Sequence, residues 1–477
     1  MEELKAGLEI HQQLDTGKLF CRCPGFLRKE EPDYKVERKL HSVAGEGGEV
    51  DVAVEHEAAK DKIFEYECYN DNVCLVDLDE EPPRDIDKEA LKIALQISLL
   101  LNCDIIQDTQ VMRKTVIDGS NVSGFQRTVL IGQDGYIETS KGKVGIMKVI
   151  LEEDAARVIK KGKDKNVYRL DRLGIPMVEI VTEPDIDDKE MAKEAALKIG
   201  DILRACKVKR GIGTIRQDVN MSFSFGGEWS ERIEMKGVQE PDLIINSIEN
   251  EMKRQKKLVE KGDSVAEVRN ALENGESEFM RPLPGAARMY PETDLKLLHI
   301  SRDEINVVRK NLPKLRSEIK KELKKEGLSE EMISLVLQNN KVEEYKELLQ
   351  LLGEPNFIAK MLVLWPKEIA KRLDKNVDEV DEKLHLDVFE EVINNIKKKQ
   401  ISEGDVKGIL EKIVSGIPVE DAMKKEDVDN LEDEIMNIVK SKPGLTVKSY
   451  MGLVMKEFKG KVSGSEIMEI LKKLVKE

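Results

Sequence analysis

The sequence contains few of the features that mark membrane, secreted or disulfide-stabilised proteins. In 477 residues, no run approaches the roughly 18 uninterrupted apolar residues that a membrane-spanning helix needs. The first residues, Met1–Lys5, lack the basic-then-apolar order of a secretion signal. Six cysteines are present, and four of them fall within the first 75 residues, which is not typical of a disulfide framework. We expect a soluble, cytoplasmic protein without membrane contacts, in which metal binding by cysteine is the hypothesis to test.

Common nucleotide-binding and hydrolytic motifs are also missing. No Gly-Lys pair is followed by Ser or Thr, as a P-loop requires, and Gly211-x-Gly213 lacks the third glycine of a dinucleotide fingerprint. Neither Gly-x-Ser-x-Gly nor His-Glu-x-x-His occurs. Any ATP site is therefore of another design, and the sequence predicts no hydrolytic centre.

Acidic residues outnumber basic residues in the whole chain, whereas basic residues are in excess at the C-terminal end. The formal charge of −15 argues against a protein that coats nucleic acid, although a local basic face can still bind an acidic polymer. Nine lysines and four glutamates lie between Lys440 and Glu477, without Asp or Arg. This segment is either a nucleic-acid contact or a solvated face, and the solvated face is the commoner case.

The hydrophobic pattern of the sequence changes near residue 298. Before it, β-branched runs are broken by Gly, Pro and Asn, which indicates a mixed α/β domain; after it, apolar residues recur at helical spacing among Lys and Glu. Glycines and a proline near residue 400 suggest a further boundary. We predict domains at 1–298, 299–400 and 401–477. The clearest predicted strands are 111–116, 129–131, 144–151 and 177–182, and the clearest predicted helices are 88–101 and 189–206.

Several acidic residues lie in or next to apolar predicted strands, where a charged side chain requires a functional or structural explanation. In Leu8-Glu9-Ile10-His11, strand alternation places Glu9 and His11 on one face, although a polar surface strand is the commoner explanation. Glu152-Glu153-Asp154 ends an apolar run and either attracts a hard cation or starts a helix. Glu179 lies inside an apolar strand, where burial is costly unless the charge is paired or metal-bound. A Mg²⁺-dependent phosphoryl-transfer site fits these residues.

The clustered cysteines have moderately specific spacing. Cys21-x-Cys23 and the later Cys68 and Cys74 could give four thiolates to one zinc ion, although neither pair has the preferred gap of two to four residues. Cys103 and Cys206 lie among apolar residues and are expected to be core residues.

Taken together, long segments of the chain resemble one family, the B/E family of tRNA-dependent amidotransferases. The matching segments include Ala6–Leu14, Asp118–Thr128, Leu151–Ala155, Asp171–Ile180, Gly213–Asn220 and Arg281–Pro284. The Gly-Phe-Gln-Arg-Thr stretch within the second segment and Arg288-Met289-Tyr290 resemble the archaeal E branch. The resemblance covers nearly the whole chain.

The resemblance implies a fold and a reaction. The fold would be an α/β (α+β) cradle-like catalytic domain, followed by an all-α helical domain and a small all-α tail domain similar to YqeY proteins. The reaction would phosphorylate the side-chain carboxylate of glutamate esterified to tRNA(Gln) with ATP, after which ammonia displaces the phosphate. An asparaginase-like partner, the D chain of the archaeal enzyme, would supply the ammonia, in an assembly with two copies of each chain.

The resemblance also assigns roles to residues. The implied catalytic and Mg²⁺-binding residues are His11, Glu153 and Glu179, with Glu9 beside them. The implied zinc ligands are Cys21, Cys23, Cys68 and Cys74. By their position in the chain, the candidates for ATP or substrate contact are Ser123, Arg127, Asp218, Asn220, Glu234 and Lys236. The candidates for tRNA contact are Lys448, Lys456, Lys459 and Lys461.

One departure from the family pattern leaves alternatives open. Archaeal E chains usually carry an aspartyl-tRNA-synthetase-like insertion before the Arg-Pro-Leu-Pro segment, whereas here only about thirty residues separate Glu249 from Met280. The B branch, which works with an amidase-type partner and a small third chain, is therefore the alternative identity. A hypothesis of another class is a non-catalytic, zinc-stabilised tRNA-binding scaffold.

Overall fold

The structure is a computed structural model that describes residues 2–39, 62–283, 289–424, 431–458 and 464–475. The chain forms two compact units, Met1–Leu315 and Arg316–Glu477. The predicted tRNA contacts Lys459 and Lys461, and part of the predicted Arg-Pro-Leu-Pro and Arg-Met-Tyr segments, lie outside the described residues.

The first unit is rich in β-structure. Its strands are β1 (Glu2–Gln13), β2 (Tyr34–Lys39), β3 (Ile63–Cys68), β4 (Asp104–Ile105), β5 (Asp108–Thr109), β6 (Met112–Thr115), β7 (Phe125–Thr139), β8 (Gly142–Glu153), β9 (Arg157–Lys161), β10 (Lys165–Arg169), β11 (Pro176–Thr182), β12 (Ile215–Phe225), β13 (Glu228–Trp229), β14 (Ile233–Lys236), β15 (Glu267–Ala271), β16 (Ser277–Pro282), β17 (Met289–Pro291) and β18 (Leu298–His299). Its helices are α1 (Lys88–Leu100), α2 (Lys189–Ala205), α3 (Pro241–Val259) and α4 (Arg302–Lys310).

Most of these strands form one large, mainly antiparallel sheet. Ten of them follow the order β16-β15-β14-β12-β1-β11-β8-β7-β6-β17, with β13 and β4 attached at the side. Flat strands in this order would place the outer two about 43 Å apart. Only seven residue steps connect Pro282 in β16 to Met289 in β17, and such a chain reaches about 25 Å at most. The sheet must therefore curve strongly.

Helices cover one face of this sheet and leave polar side chains on the other. In β1, Leu4, Ala6, Leu8 and Ile10 are buried in a core to which α1, α2 and α3 contribute apolar residues. The intervening Glu9 and His11 are only partly buried. Because strand side chains alternate, the apolar positions fix which residues point to the helix-free face.

A smaller, four-stranded sheet includes β9 and β10, the two strands that lie between β8 and β11 in the sequence. It has the order β2-β3-β10-β9, and its core contains Phe64, Tyr66, Cys68 and Tyr168. Strand β9 is an edge strand of this sheet.

The second unit is helical. Its helices are α5 (Arg316–Lys325), α6 (Glu330–Gln338), α7 (Val342–Leu352), α8 (Pro355–Ala359), a π-helical turn (Lys360–Leu364), α9 (Trp365–Leu373), α10 (Val377–Lys383), α11 (Leu386–Lys397), α12 (Val406–Val414), α13 (Val419–Ala422), α14 (Leu431–Ser441), α15 (Val447–Glu457) and α16 (Gly464–Leu474). One apolar cluster extends from Leu323 to Ala422, and a separate cluster joins α14, α15 and α16. In the described part of the chain, no helix combines the length and the apolar character that crossing a membrane requires.

The broad fold prediction, a mixed α/β region followed by helices, is confirmed. The predicted strands 144–151 and 177–182 lie in β8 and β11, and the predicted helices 88–101 and 189–206 match α1 and α2. The chain divides into its two compact units between Leu315 and Arg316, because Ile300, Ile305 and Val308 pack in the first core. The predicted domain boundary at residue 298 stays a prediction. The division at residue 400 stays a prediction; Ile401 and the apolar residues of α12 pack with the preceding helices.

Candidate active site and metal centre

Strand pairing brings Glu9, His11 and Glu179 together on the helix-free face of the large sheet. His11 in β1 lies opposite Glu179 in β11, and Glu9 lies opposite Asp218 in β12. The His11 Nε2 atom is 3.7 Å from Glu9 Oε1 and 3.5 Å from Glu179 Oε2. One ligand atom from each of the three residues lies within 4.8 Å of the others, which is an arrangement that can hold a metal ion.

The carboxylate that joins this group from β8 is Glu152, and the predicted Glu153 points elsewhere. Glu152 pairs with Met177, which shares a face with Glu179, and its Oε1 atom is 3.7 Å from His11 Nε2. Glu153 pairs with Pro176 and therefore faces the other side of the sheet. There its Oε2 atom accepts a hydrogen bond from the backbone N–H of Arg127 at 3.1 Å. Because strand side chains alternate between the two faces of a sheet, a prediction that is wrong by one residue places the carboxylate on the opposite face.

Burial and mutual repulsion shape the ionisation of this acidic group. Burial and the charge of Glu179 raise the pKa of Glu152 to about 7. Burial also opposes ionisation of Glu179, but the hydrogen bond to His11 and the charges of Lys114 and His11 outweigh it and lower that pKa to about 2. Burial likewise opposes protonation of His11, yet its hydrogen bond to Glu179 and the surrounding carboxylates raise the pKa of the imidazole.

Two lysines that the sequence analysis did not select border the same group. Lys114 Nζ lies 3.9 Å from Glu152 Oε2 and 3.8 Å from Glu179 Oε2, and Lys148 Nζ lies 3.4 Å from Glu179 Oε1. Lys114 is in β6 and Lys148 is in β8, far apart in sequence from β1 and β11. Only the register of neighbouring strands reveals this proximity, so the sequence carried no local signal for these lysines.

The chemistry of the site fits a divalent cation. The buried Oε2 atom of Glu152 has no hydrogen-bond partner among the described residues. Lys114 Nζ approaches this oxygen only to 3.9 Å, which is beyond hydrogen-bond distance, and a buried carboxylate oxygen without a hydrogen bond is costly unless a cation or donor comes closer. Glu9, Glu152 and Glu179 are hard oxygen ligands, and His11 supplies a nitrogen, a set that suits Mg²⁺ with additional water or phosphate ligands.

Four of the predicted ATP or substrate contacts lie on β12, the strand next to β1, and on β14, the strand beyond it. Lys236 Nζ in β14 is 2.7 Å from Asp218 Oδ2 and 2.5 Å from Glu234 Oε1. Glu234 lies opposite Asn220 in β12. Because Asp218 lies opposite Glu9, this polar group continues the face that carries Glu9 and His11.

The other two predicted contacts, Ser123 and Arg127, have structural partners. Ser123 Oγ donates to the carbonyl oxygen of Phe125 at 3.0 Å. The buried Arg127 donates through Nε to Glu292 Oε2 at 2.9 Å and lies 3.5 Å from Glu153 Oε2. Arg113 also contacts the fully buried Glu292. Arg127 thus joins β7 to the segment after β17.

A second group of possible metal ligands contains three of the four predicted cysteines. Cys21, Cys23 and Cys74 lie with Asp77, and one ligand atom from each falls within 4.8 Å of the others. The fourth predicted ligand, Cys68, is not in this group; its buried thiol lies 3.6 Å from the carbonyl oxygen of Tyr66. Cys68 lies in β3, whereas Cys74 and Asp77 share the turn after β3, where Asp77 Oδ2 accepts from the Cys74 N–H at 3.1 Å.

The electrostatics of this second group favour a thiolate-binding cation. Hydrogen bonds from Cys21 and Cys23 lower the pKa of the Cys74 thiol to about 2. Burial raises the pKa of Asp77 to about 6, although the buried Lys18 ammonium lies 3.0 Å from its Oδ2 atom. The other oxygen, Oδ1, is 4.0 Å from Cys21 Sγ. Three sulfur atoms and one carboxylate oxygen form a ligand set that zinc accepts.

The two predicted tRNA contacts in the described residues, Lys448 and Lys456, lie in α15. Lys456, with Lys442 and the apolar Ile438 and Leu453, lines a surface cavity between α14 and α15.

Comparison with known proteins identifies the family. A family model described as the GatB/GatE catalytic domain matches residues 4–306. A protein from Methanocaldococcus jannaschii, named as the E subunit of glutamyl-tRNA(Gln) amidotransferase, is 36% identical over an alignment that covers 99% of this chain and 98% of that protein. Proteins of the same name from Methanococcus maripaludis and Archaeoglobus fulgidus are 34% and 33% identical, with the same coverage of both chains.

The chain belongs to the GatB/GatE family of ligase-type amidotransferase subunits, which act in protein biosynthesis. Within the family, these relatives all carry the name of the archaeal E branch rather than that of the B branch. Their alignments run over 634, 628 and 611 positions, well beyond the 477 residues of this chain. Each of these relatives therefore contains residues without a counterpart here, as expected if this chain lacks an insertion.

Proposed function

We propose that this chain converts glutamate esterified to tRNA(Gln) into glutamine in two steps. The γ-carboxylate of the glutamate first attacks the terminal phosphorus of ATP, forming an acyl phosphate and ADP. Ammonia then attacks the acyl carbon, the bond to the phosphate breaks, and an amide and inorganic phosphate result. The observation that carries this proposal is the group of Glu9, His11, Glu152 and Glu179 on the helix-free sheet face of a GatB/GatE-family chain.

In this proposal, Glu9, His11, Glu152 and Glu179 would hold Mg²⁺, which supplies Lewis-acid stabilisation of phosphate oxygens. Lys114 and Lys148 balance the negative charge of the carboxylates and of the phosphate that approaches them. On β12 and the following strand of the sheet, β14, the residues Asp218, Asn220, Glu234 and Lys236 would orient the nucleotide or the substrate glutamate. Ser123 and Arg127 stay predictions for substrate contact, and the internal partners of Arg127 favour a structural role.

The rest of the assembly is proposed on the names of the relatives and on the resemblance. An asparaginase-like D chain would release the ammonia, in an assembly with two copies of each chain. Zinc would be held by Cys21, Cys23, Cys74 and Asp77 and would fix the turn after β3 to the segment after β1. The separate core of α14, α15 and α16 would form the YqeY-like tail, with Lys448 and Lys456 on its tRNA-binding surface.

The direct test is conversion of tRNA-bound glutamate to tRNA-bound glutamine by the purified chain, with ATP, Mg²⁺ and ammonium chloride and without a partner. We expect conversion by the wild type and none by Glu179→Gln, which removes a charge that binds the metal but leaves the size of the side chain unchanged. ATP turnover at background level, even with the partner and charged tRNA added, would instead favour the non-catalytic scaffold.

A further inference from the structure

A basic β-hairpin lies in the sequence between Glu152 and Glu179, two carboxylates of the proposed active site. The hairpin, Arg157–Arg169, consists of β9, the turn at 162–164 and β10, and it contains six Lys or Arg residues but a single acidic residue, Asp164. This composition contrasts with the formal charge of −15 on the whole chain. The hairpin follows the end of β8, which carries Glu152, and precedes β11, which carries Glu179.

Ion pairs between described residues neutralise some of the basic side chains of the hairpin but not all of them. Arg169 Nη2 lies 2.7 Å from Glu67 Oε2, Arg157 pairs with the fully buried Asp171, and Lys165 pairs with Glu37 and Glu65. By contrast, Lys160, Lys161 and Lys163 are exposed and make no salt bridge with any described residue. Within the described parts of the chain, three positive charges without an ion-pair partner therefore line the edge and tip of the hairpin.

The base of the hairpin is firmly attached to the rest of the unit. The Tyr168 hydroxyl donates to the carbonyl oxygen of Asp118 at 2.6 Å, and the aromatic ring is fully buried. In the turn, the Gly162 N–H donates to Asn166 Oδ1 at 3.2 Å. The lysines are thus presented on an ordered support, which reduces the entropy lost when they bind a partner.

The covalent path limits how far these lysines lie from the chemistry. Eight residue steps separate Glu152 from Lys160 and eleven separate it from Lys163, so the Cα atoms are at most about 28 Å and about 39 Å apart, respectively. In the proposed reaction the reacting glutamate is attached to the 3′ end of the RNA, and the phosphates nearest that end must pass within a comparable distance of the site. On a chain that is acidic overall, an exposed basic surface at this position is suited to phosphate groups.

We propose that Lys160, Lys161 and Lys163 bind the sugar-phosphate backbone of the RNA near its aminoacylated end. The inference rests on the proposed function, since it takes its ligand to be the RNA that carries the substrate. The exposed Val158 and Ile159 flank the first lysine and add an apolar surface to the contact. Lysines on an edge strand can also serve only to prevent strand pairing, and in that case they would make no contribution to RNA binding.

The test compares the triple variant K160Q/K161Q/K163Q with the triple variant K320Q/K321Q/K325Q, which removes equal charge from exposed lysines of α5. Binding of an uncharged tRNA(Gln) transcript is measured by fluorescence anisotropy over a range of KCl concentrations. For the hairpin variant we expect a Kd increased about 10-fold or more at low salt and a salt slope reduced by roughly 2 to 3, whereas the control keeps the wild-type slope.

A matched kinetic measurement separates this inference from the proposed function. With charged tRNA, the hairpin variant should raise KM for the RNA and leave kcat unchanged, because the chemical groups are intact. The binding assay needs no ATP turnover, so it stays informative even if the wild type converts nothing. A wild-type salt slope in the hairpin variant would overturn the inference, as would unchanged RNA binding together with weakened binding of the ammonia-supplying partner. The single variant K161Q, with a slope reduced by about 1, guards against misfolding of the triple variant.

Discussion

At the scale of single residues, the adjacent Glu152 and Glu153 provide a matched pair for testing the site. They have the same side chain and are both buried, but Glu152 faces His11 and Glu153 faces Arg127. We expect Glu152→Gln to abolish amidation and to weaken Mg²⁺ binding at least about 10-fold, because a charged ligand is lost. Isothermal titration with Mn²⁺ or Mg²⁺ and the ammonium-dependent assay measure both effects.

Glu153→Gln is the control for this prediction. It should retain metal binding but lower the free energy of unfolding by about 1–3 kcal/mol, because the buried Arg127 loses one of its two charged partners. The opposite pattern, with activity kept in Glu152→Gln and lost in Glu153→Gln, would mean that the strand register at the end of β8 is shifted by one residue.

The cysteine site offers a second matched pair at this scale. Cys74→Ala should lower the zinc content of the purified chain towards zero and reduce its melting temperature, since metal binding stabilises the folded state. Cys68→Ala should leave the zinc content unchanged, because Cys68 is outside the ligand group. Elemental analysis and thermal unfolding provide the readouts, and equal loss of zinc in the two variants would restore Cys68 as a ligand.

At the scale of secondary-structure elements, α2 depends on a charged N-cap. The Asp188 side chain accepts from the N–H groups of Glu190 and Met191 at 3.0 and 3.1 Å. Partial burial opposes its ionisation, but the hydrogen bond from Lys141 and those from the backbone outweigh this effect and lower the pKa of Asp188 below 3.8. The added stability is therefore present at neutral pH and is lost as the pH falls through this lowered pKa.

We expect Asp188→Asn to cost about 0.5 kcal/mol at about pH 7 and progressively less as the pH falls through the lowered pKa of Asp188, because Asn keeps the cap acceptor without the charge. Urea unfolding in a Trp365→Phe background would follow the first unit, since the remaining tryptophan, Trp229, lies in β13. A cost that does not change with pH would mean that the charge of Asp188 contributes nothing.

At the scale of the whole molecule, the helices α14, α15 and α16 form a core of their own, which allows the tail to be removed as a unit. Deletion of the residues after 430 should weaken tRNA binding and flatten its salt dependence, because the lysine-rich segment supplies counterion release. The first unit should keep its melting behaviour. An unchanged salt slope in anisotropy measurements would leave these lysines as a solvated face.

The amino-acid sequence by itself determined many of the elements and indicated the kind of chemistry that we propose. Alternation in β1 and β11 placed Glu9, His11 and Glu179 among the candidates, and the resemblance to the amidotransferase family was needed to select them. The helices after residue 298 and the bounds of α1 and α2 could also be predicted from the sequence, because hydrophobic periodicity is a local property.

Only the tertiary structure decided which residues from separate strands share a site. The register between β8 and β11 places Glu152, and not Glu153, on the face that carries Glu179. A run of three acidic residues does not reveal which of them lies on that face. Lys114 and Lys148 joined the site through pairing between strands distant in sequence, and Asp77 replaced Cys68 because a turn brings it to Cys74. The physical reason is the same in each case: register and turn geometry are fixed by packing across the sheet, which no local pattern of residues encodes.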